Sequence, residues 1–279
     1  AWNLLGGGGE TRGVFTFSGT RAYFQEKIEL AFFNHYLKDK GQEPGKALLD
    51  IPEAAVFETG TDQWRSYAVW PPAEAKEKKL FFAAGGKAGF EQAADSPAPG
   101  AVAGAANAGY DEFVSDPAKP VPYTMKTTAT YNPDYFVEDQ RFAASRPDVL
   151  VYCGEPLQEA VTISGPITAE LYVSTTGTDA DWIVKVIDVY PDNAPDPKPN
   201  PGNVRMGGYQ RLIRGDVIRG KFRDSFEKPE PFIPGRVTKV VFELPDVQHA
   251  FLEGHRIMVQ IQSSWFPLFD RNPQTFCNI

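Results

Sequence analysis

The chain has 279 residues and carries 28 lysines and arginines against 36 aspartates and glutamates. Its net charge of −8 excludes a phosphate backbone as a favoured partner, so no nucleic acid is expected. With 42% hydrophobic residues it is long and apolar enough to bury a sizeable core, while two cysteines, Cys153 and Cys277, are too few for a disulfide scaffold or a cysteine-rich zinc site.

In chain order, residues 1 to 20 lack the charged start and apolar middle of a signal peptide, and no apolar run approaches the length needed to cross a bilayer. No membrane association is expected, and the cellular compartment stays open. The glycines of LLGGGGETRG follow no strand and lack the lysine of a phosphate-binding loop, so they read as a loop. From Tyr23 to Lys40 the sequence YFQEKIELAFFNHYLKDK has neither glycine nor proline, sets Glu26 and Glu29 early and Lys38 and Lys40 late, and ends at Gly41. That punctuation predicts a helix. Phe24, Ile28, Ala31, Phe32, His35 and Tyr36 fall on one arc, and Tyr23, Leu30, Phe33 and Leu37 on a second. A helix apolar on two sides needs cover on two sides. The rest of the chain supplies one; a further domain or a second copy of the chain must supply the other.

Beyond Leu49 the pattern changes to short alternating runs: AAVFET (54 to 59), WRSYAVW (64 to 70), KLFFAA (79 to 84), VLVYC (149 to 153) and VTI (161 to 163). In the next run Ile167, Ala169, Leu171 and Val173 oppose Thr168, Glu170 and Tyr172, as in a half-buried strand. DWIVKVIDVY (181 to 190) is apolar on both faces, and RVTKVVFEL (236 to 244) and RIMVQIQ (256 to 262) complete the set. Glycine (25) and proline (24) are frequent, which fits many turns. The class expected is mainly β, a two-layer sandwich of jelly-roll type. Residues 93 to 109 and 191 to 208 read as long loops.

The search for chemistry is mostly negative. No G-x-S-x-G elbow is present, and Ser18, Ser164 and Ser264 read as turn or strand serines. His35, His249 and His255 are dispersed, without an H-E-x-x-H, so no metal site is expected. His35 reads as a packed helix residue and His255 as a turn residue. Asp179, Asp181, Asp188 and Asp192 lie close in sequence. Structural pairing of Asp181 and Asp188 is favoured, for Asp188 with an arginine such as Arg256 or Arg271, with calcium binding or glycosidase chemistry as rivals. No cofactor is expected.

Five stretches in order, FFNHYLKDKG, RPDVLVYCGEPL, ISGPITAELYVSTTGTDADWIVKVIDVYPD, GYQRLIRGDVIRGKFRDSFEKP and EGHRIMVQIQSSWFPLFDRNPQTF, resemble the C-terminal portion of the X-Pro dipeptidyl-peptidase and cocaine-esterase-like (CocE/NonD) acyl hydrolases, on the branch of the α-amino-acid ester hydrolases and glutaryl-cephalosporin acylases. The resemblance implies an α/β-hydrolase domain with a helical cap and a C-terminal jelly roll. It further implies a Ser-His-Asp triad whose serine and aspartate come well upstream and whose histidine shortly precedes the helix, so that no catalytic residue falls in this chain. Residues 1–48 are then the end of the hydrolase domain and 49–279 the jelly roll, short of a last strand. The implied partners are the absent hydrolase domain and a small-molecule ester or peptide substrate. Within SSWFPLFDRNPQTF (263 to 276) the aromatics would fill a core and Asp270 and Arg271 would satisfy buried polar groups. The loop 116 to 131 makes Tyr123 and Tyr131 candidates for substrate contact. The rivals are a carbohydrate-binding or adhesive β-sandwich, and a chain that assembles with a separately encoded catalytic chain.

Overall fold

The computed structural model describes residues 11–17, 19–38, 52–92, 109–128 and 130–277. A short hairpin, β1 (Thr11–Arg12) and β2 (Phe15–Thr16), precedes a helix that starts at α1 (Thr20–Tyr23). The helix continues through Phe24–Glu29, α2 (Leu30–Phe33) and Asn34–Lys38, its turns alternating between α and π hydrogen bonding. Gly19 launches it from a left-handed conformation that glycine adopts without strain. The predicted end of this helix at Lys40, its stop at Gly41, Ser18 and most of the loops at 4 to 13 and 93 to 109 lie outside the described residues.

The remainder is a β-sandwich, as the sequence pattern indicates. Its larger layer has the order β10-β9-β12-β7-β6-β5, built from β5 (Phe81–Ala83), β6 (Lys87–Gly89), β7 (Leu150–Cys153), β9 (Asp181–Val189), β10 (Gln210–Arg219) and β12 (Arg256–Gln262). All neighbours are antiparallel except β6 and β7. The second layer pairs β8 (Val161–Val173) with β11 (Thr238–Phe251), and the hairpin β3 (Ala54–Glu58) and β4 (Gln63–Tyr67) joins β11 through a parallel bridge from Thr59 to His249.

β9 is buried along its whole length because both of its faces are covered. Trp182, Val184 and Val186 meet Ala169, Leu171, Val240, Leu244 and Phe251 in the core between the layers. Ile183, Ile187 and Val189 point the other way, into a second core with Tyr123, Leu212, Met258 and Trp265. The period of two thus feeds two cores from one strand.

Several elements differ from the sequence expectation: β1 lies within the stretch read as a loop at 4 to 13, the run at 64 to 70 is strand only to Tyr67, and β6 was not expected. The runs at 161 to 163 and 167 to 173 are one strand, β8, because the irregularity implied by Gly165-Pro166 is absorbed by a bulge in its partner between Leu244 and Val247. That bulge also lets β11 continue seven residues beyond the predicted Leu244. β10 was not expected: its bulge between Leu212 and Arg214 breaks the alternation that would reveal it.

Candidate functional site

A buried polar cluster lies where the two layers meet. Asp188, on the inward face of β9, is reached by His255 Nδ1 at 2.8 Å and His249 Nε2 at 3.3 Å, and all three are buried. On its far side His249 Nδ1 lies 2.7 Å from the Thr59 hydroxyl, which is also 3.3 Å from the Gln248 carbonyl. Burial works against ionisation of Asp188, but the two imidazole contacts outweigh it and hold its carboxyl below the usual range. Burial is the largest influence on His249 and pushes its pKa down, with Asp188 compensating only in part. Asp188 therefore meets histidines and not the arginine expected. Strand register explains why: Ile257 stands opposite Asp188 and shares its face, so Arg256, one residue earlier, projects from the other side of the sheet. There Arg256 donates to the Gly154 carbonyl at 3.2 Å and faces Glu155 at 3.6 Å.

Hydroxyl, imidazole and carboxylate in a row have the connectivity of a nucleophilic relay. Here they brace the fold. Thr59 is woven into the ladder with β11, its N–H donating to Gln248 O at 3.2 Å and its carbonyl accepting from Ala250 N–H at 2.9 Å, and His249 is wholly enclosed. Beside this ladder Gln248 Nε2 donates to buried Glu58 at 2.7 Å, which also receives Thr61 and Arg65.

Asp181 is held at the opposite end of β9. Arg219 donates Nε to Oδ1 at 3.0 Å and Nη2 to Oδ2 at 3.2 Å, and Asn272 adds a bond at 2.7 Å. Asp179 accepts backbone N–H bonds from Ala180 and Lys221. Among the described residues no group of three or more histidine, cysteine, aspartate or glutamate side chains is arranged to hold a metal ion. Cys153 and Cys277 are both free thiols.

The 263 to 276 stretch borders the second core. Its Ser264 hydroxyl accepts from Val121 N–H at 2.9 Å, and Phe266 exchanges backbone bonds with Val121 and Tyr123. Asp270 and Arg271 do not satisfy buried groups as expected, since both are exposed. The Asp270 carbonyl accepts from Arg219, while Arg271 donates to Pro117 O at 2.9 Å and lies over the Phe266 ring. Tyr123 is buried, and its hydroxyl accepts from Asn132 N–H at 2.7 Å. Tyr131 stacks on it at 6.5 Å and is 58% exposed, so of the two candidates Tyr131 alone presents a ring to solvent. Tyr135, between Tyr131 and Trp265, has its hydroxyl pKa raised to about 12, chiefly by burial. Beneath them Lys185 is entirely buried, 3.2 Å from Gln140 Oε1 and 5.0 Å above Trp265, and burial alone drives its pKa down to about 7.

At the N-terminal side, the hairpin and helix seat on the sandwich. Arg211 of β10 is buried under Phe15, 4.2 Å from its guanidinium, and Phe17, at 5.5 Å. Tyr23 stacks on Trp64 at 4.5 Å. Further along, Leu30, Phe33 and Leu37 of the second arc are 52%, 49% and 75% exposed. His35 is half-buried.

A β-sandwich in which buried Glu58, Asp181 and Asp188 tie neighbouring elements together, with a preceding helix seated on its edge, is the class of domain the fold defines. The chain belongs to the family of X-Pro dipeptidyl-peptidase C-terminal non-catalytic domains, whose model matches residues 49–278. Among curated proteins it is 30% identical over 245 residues to a cocaine esterase from Rhodococcus sp. (strain MB1 Bresler), covering 88% of this chain and 39% of that one. An aminopeptidase structure from a marine sediment archaeon of the Thaumarchaeota is 44% identical, with a TM-score of 0.81 over 96% of this chain and 41% of that one. An α-amino acid ester hydrolase structure is 37% identical, with a TM-score of 0.83 over 98% and 43%. The chain thus spans about two-fifths of the length of these relatives. The family resemblance read from the five stretches is correct.

Proposed function

We propose that this chain is the bracing C-terminal sandwich of a serine acyl hydrolase that cleaves an ester or amide through an acyl-enzyme, and that it has no activity by itself. The serine, histidine and aspartate of that reaction lie outside these residues, and substrate reaches the sandwich only at its margin, at Tyr131. The carrying observation is the second helical arc. Leu30, Phe33 and Leu37 stand in a row outside the family match, exposed, on a helix whose first turns are fixed to the sandwich by the stack of Tyr23 on Trp64. A row of large apolar side chains of this kind is a docking face, and a hydrolase domain such as the longer relatives have room for is its natural cover. A small ester or peptide as substrate is supported by the names of those relatives, an esterase, an aminopeptidase and an amino-acid ester hydrolase. A carbohydrate-binding module has less support. On β8 and β11 Tyr172 is the one exposed ring, with Lys239 over it, and a lone ring is no stacking platform.

The purified chain is expected to hydrolyse p-nitrophenyl acetate no faster than serum albumin and to resist a fluorophosphonate probe. Stoichiometric labelling of one serine would overturn the assignment.

A further inference from the structure

We infer that the buried chain Thr59–His249–Asp188–His255 is a proton-uptake device that loosens the seating of the N-terminal hairpin when it is charged. The geometry allows His249 two complete hydrogen-bonding states. When neutral, it donates Nε2–H to Asp188 Oδ2 at 3.3 Å and accepts the Thr59 hydroxyl proton at Nδ1 over 2.7 Å. When a proton is taken up at Nδ1, that nitrogen becomes a donor to Thr59 Oγ1, and the hydroxyl rotates to donate to the Gln248 carbonyl at 3.3 Å instead. One hydroxyl, placed between an imidazole and a carbonyl, changes from donor toward the ring to acceptor from it. Neither nitrogen of the ring is left unpaired in either state, so the ring can charge without unfolding the sandwich.

The groups facing His249 determine what the charge does. Asp188 comes from β9, His255 from the turn before β12, Arg211 from β10, and Asp62 from the turn joining β3 to β4. Tyr190, at the end of β9, packs its ring on His255 at 4.6 Å and is coupled to Arg211. Asp188 and Asp62 attract the added proton, whereas Arg211 repels it. Asp62 is itself held toward its neutral form by burial, the largest influence on it, so acid weakens its counter-charge. Arg211 cannot shed its own charge. The rings above it, Phe15 and Phe17, pack in turn on Tyr190, Tyr209 and Phe57, and they hold the hairpin at the edge of the sandwich. Charging the ring therefore drives the guanidinium outward against Phe15 and Phe17 and releases the segment that leads into the helix.

The test uses this chain, with imidazole resonances followed by NMR and amide exchange followed over residues 11–23, corrected for the intrinsic effect of pH. His249 is expected to titrate below the ordinary histidine value of 6.5 while the sandwich stays folded, and exchange in 11–23 should rise over the same interval. Thr59→Val removes the reversible hydroxyl and should lower the His249 midpoint by about one pH unit, a tenfold loss of proton affinity. Thr59→Ser should leave it unchanged. His249→Gln, which cannot charge, should make exchange in 11–23 independent of pH. The proposal fails if His249 titrates only as the whole sandwich unfolds, or if Thr59→Val keeps the parent midpoint. It also fails if acid still loosens 11–23 in His249→Gln, and this last arm decides the matter should Thr59→Val not fold. Hydrolase activity enters none of these readouts.

Discussion

Arg219 grips Asp181 through two parallel hydrogen bonds, Nε to Oδ1 at 3.0 Å and Nη2 to Oδ2 at 3.2 Å, across the outer pair of strands β9 and β10. Asn272 closes on the same carboxylate at 2.7 Å and so ties the C-terminal stretch to the start of β9. Burial is the largest influence on Asp181 and pushes its pKa up against these three bonds, so the carboxylate is held at a desolvation cost by its partners.

Removing the carboxylate should therefore be expensive. Asp181→Ala leaves Asn272 without its acceptor and Arg219 without its fork, and an unpaired partner of a buried ion pair costs on the order of 3 kcal/mol. Urea unfolding of the variant should show a lowered midpoint with an unchanged slope. Calcium should leave the melting temperature of the parent chain unaltered. A calcium-dependent rise would assign the carboxylates near Asp181 to a metal instead.

Lys185 is predicted to destabilise the fold at neutral pH. Its folded pKa of about 7 lies below the unfolded value of 10.5. Between these values the unfolded chain binds more protons than the folded one, so stability rises with pH across that window and is lost as pH falls toward 7. A tenfold change in proton affinity is worth about 1.4 kcal/mol, which puts the penalty near pH 7 on the order of 4 kcal/mol. Lys185→Met removes the charge and fits the same apolar surroundings, but strands Gln140 Oε1. It should raise stability at pH 7 by about 2 kcal/mol and flatten the pH 7 to 10 profile in denaturant titrations. Equal slopes in parent and variant would show that Lys185 is charged in the folded state.

How much of this was legible follows from the strands themselves. Along β9 the alternation is unbroken, and the placement of Asp188 on the face of Trp182, Val184 and Val186 could be read directly. Its partners could not. His249 belongs to β11 beyond the bulge at Leu244/Val247, where the inward positions change from even (Val240, Leu244) to odd (Val247, His249, Phe251) numbers. A period-two reading that stops at Leu244 has no means of placing His249. Arg211 was hidden in the same way by the bulge in β10. Thr59 carries no local signal, because its role arises from a partner 190 residues away. Lys185 did carry one: it is the single basic residue of β9, and from Trp182 to Ile187 every other residue is apolar on both faces, so a lysine there has to be buried.

The last prediction concerns the exposed arc of the helix. Leu30 and Phe33 each leave about half of their surface in water, and a side chain of this type yields roughly 1.5 to 3 kcal/mol when fully covered. In the isolated chain nothing described covers that exposed half, so at high concentration two copies are expected to bury these arcs against each other. Replacing Leu30 and Phe33 together with serine removes that incentive while touching no core residue. Sedimentation of the parent chain should therefore show reversible self-association that the double variant lacks. The cost to sandwich stability should stay within about 0.5 kcal/mol per site, because surface positions contribute little to folding. Slow amide exchange throughout Leu30–Phe33 in a parent chain that sediments as a monomer would mean that the arc is already covered within the chain, and the docking face would have to be sought elsewhere.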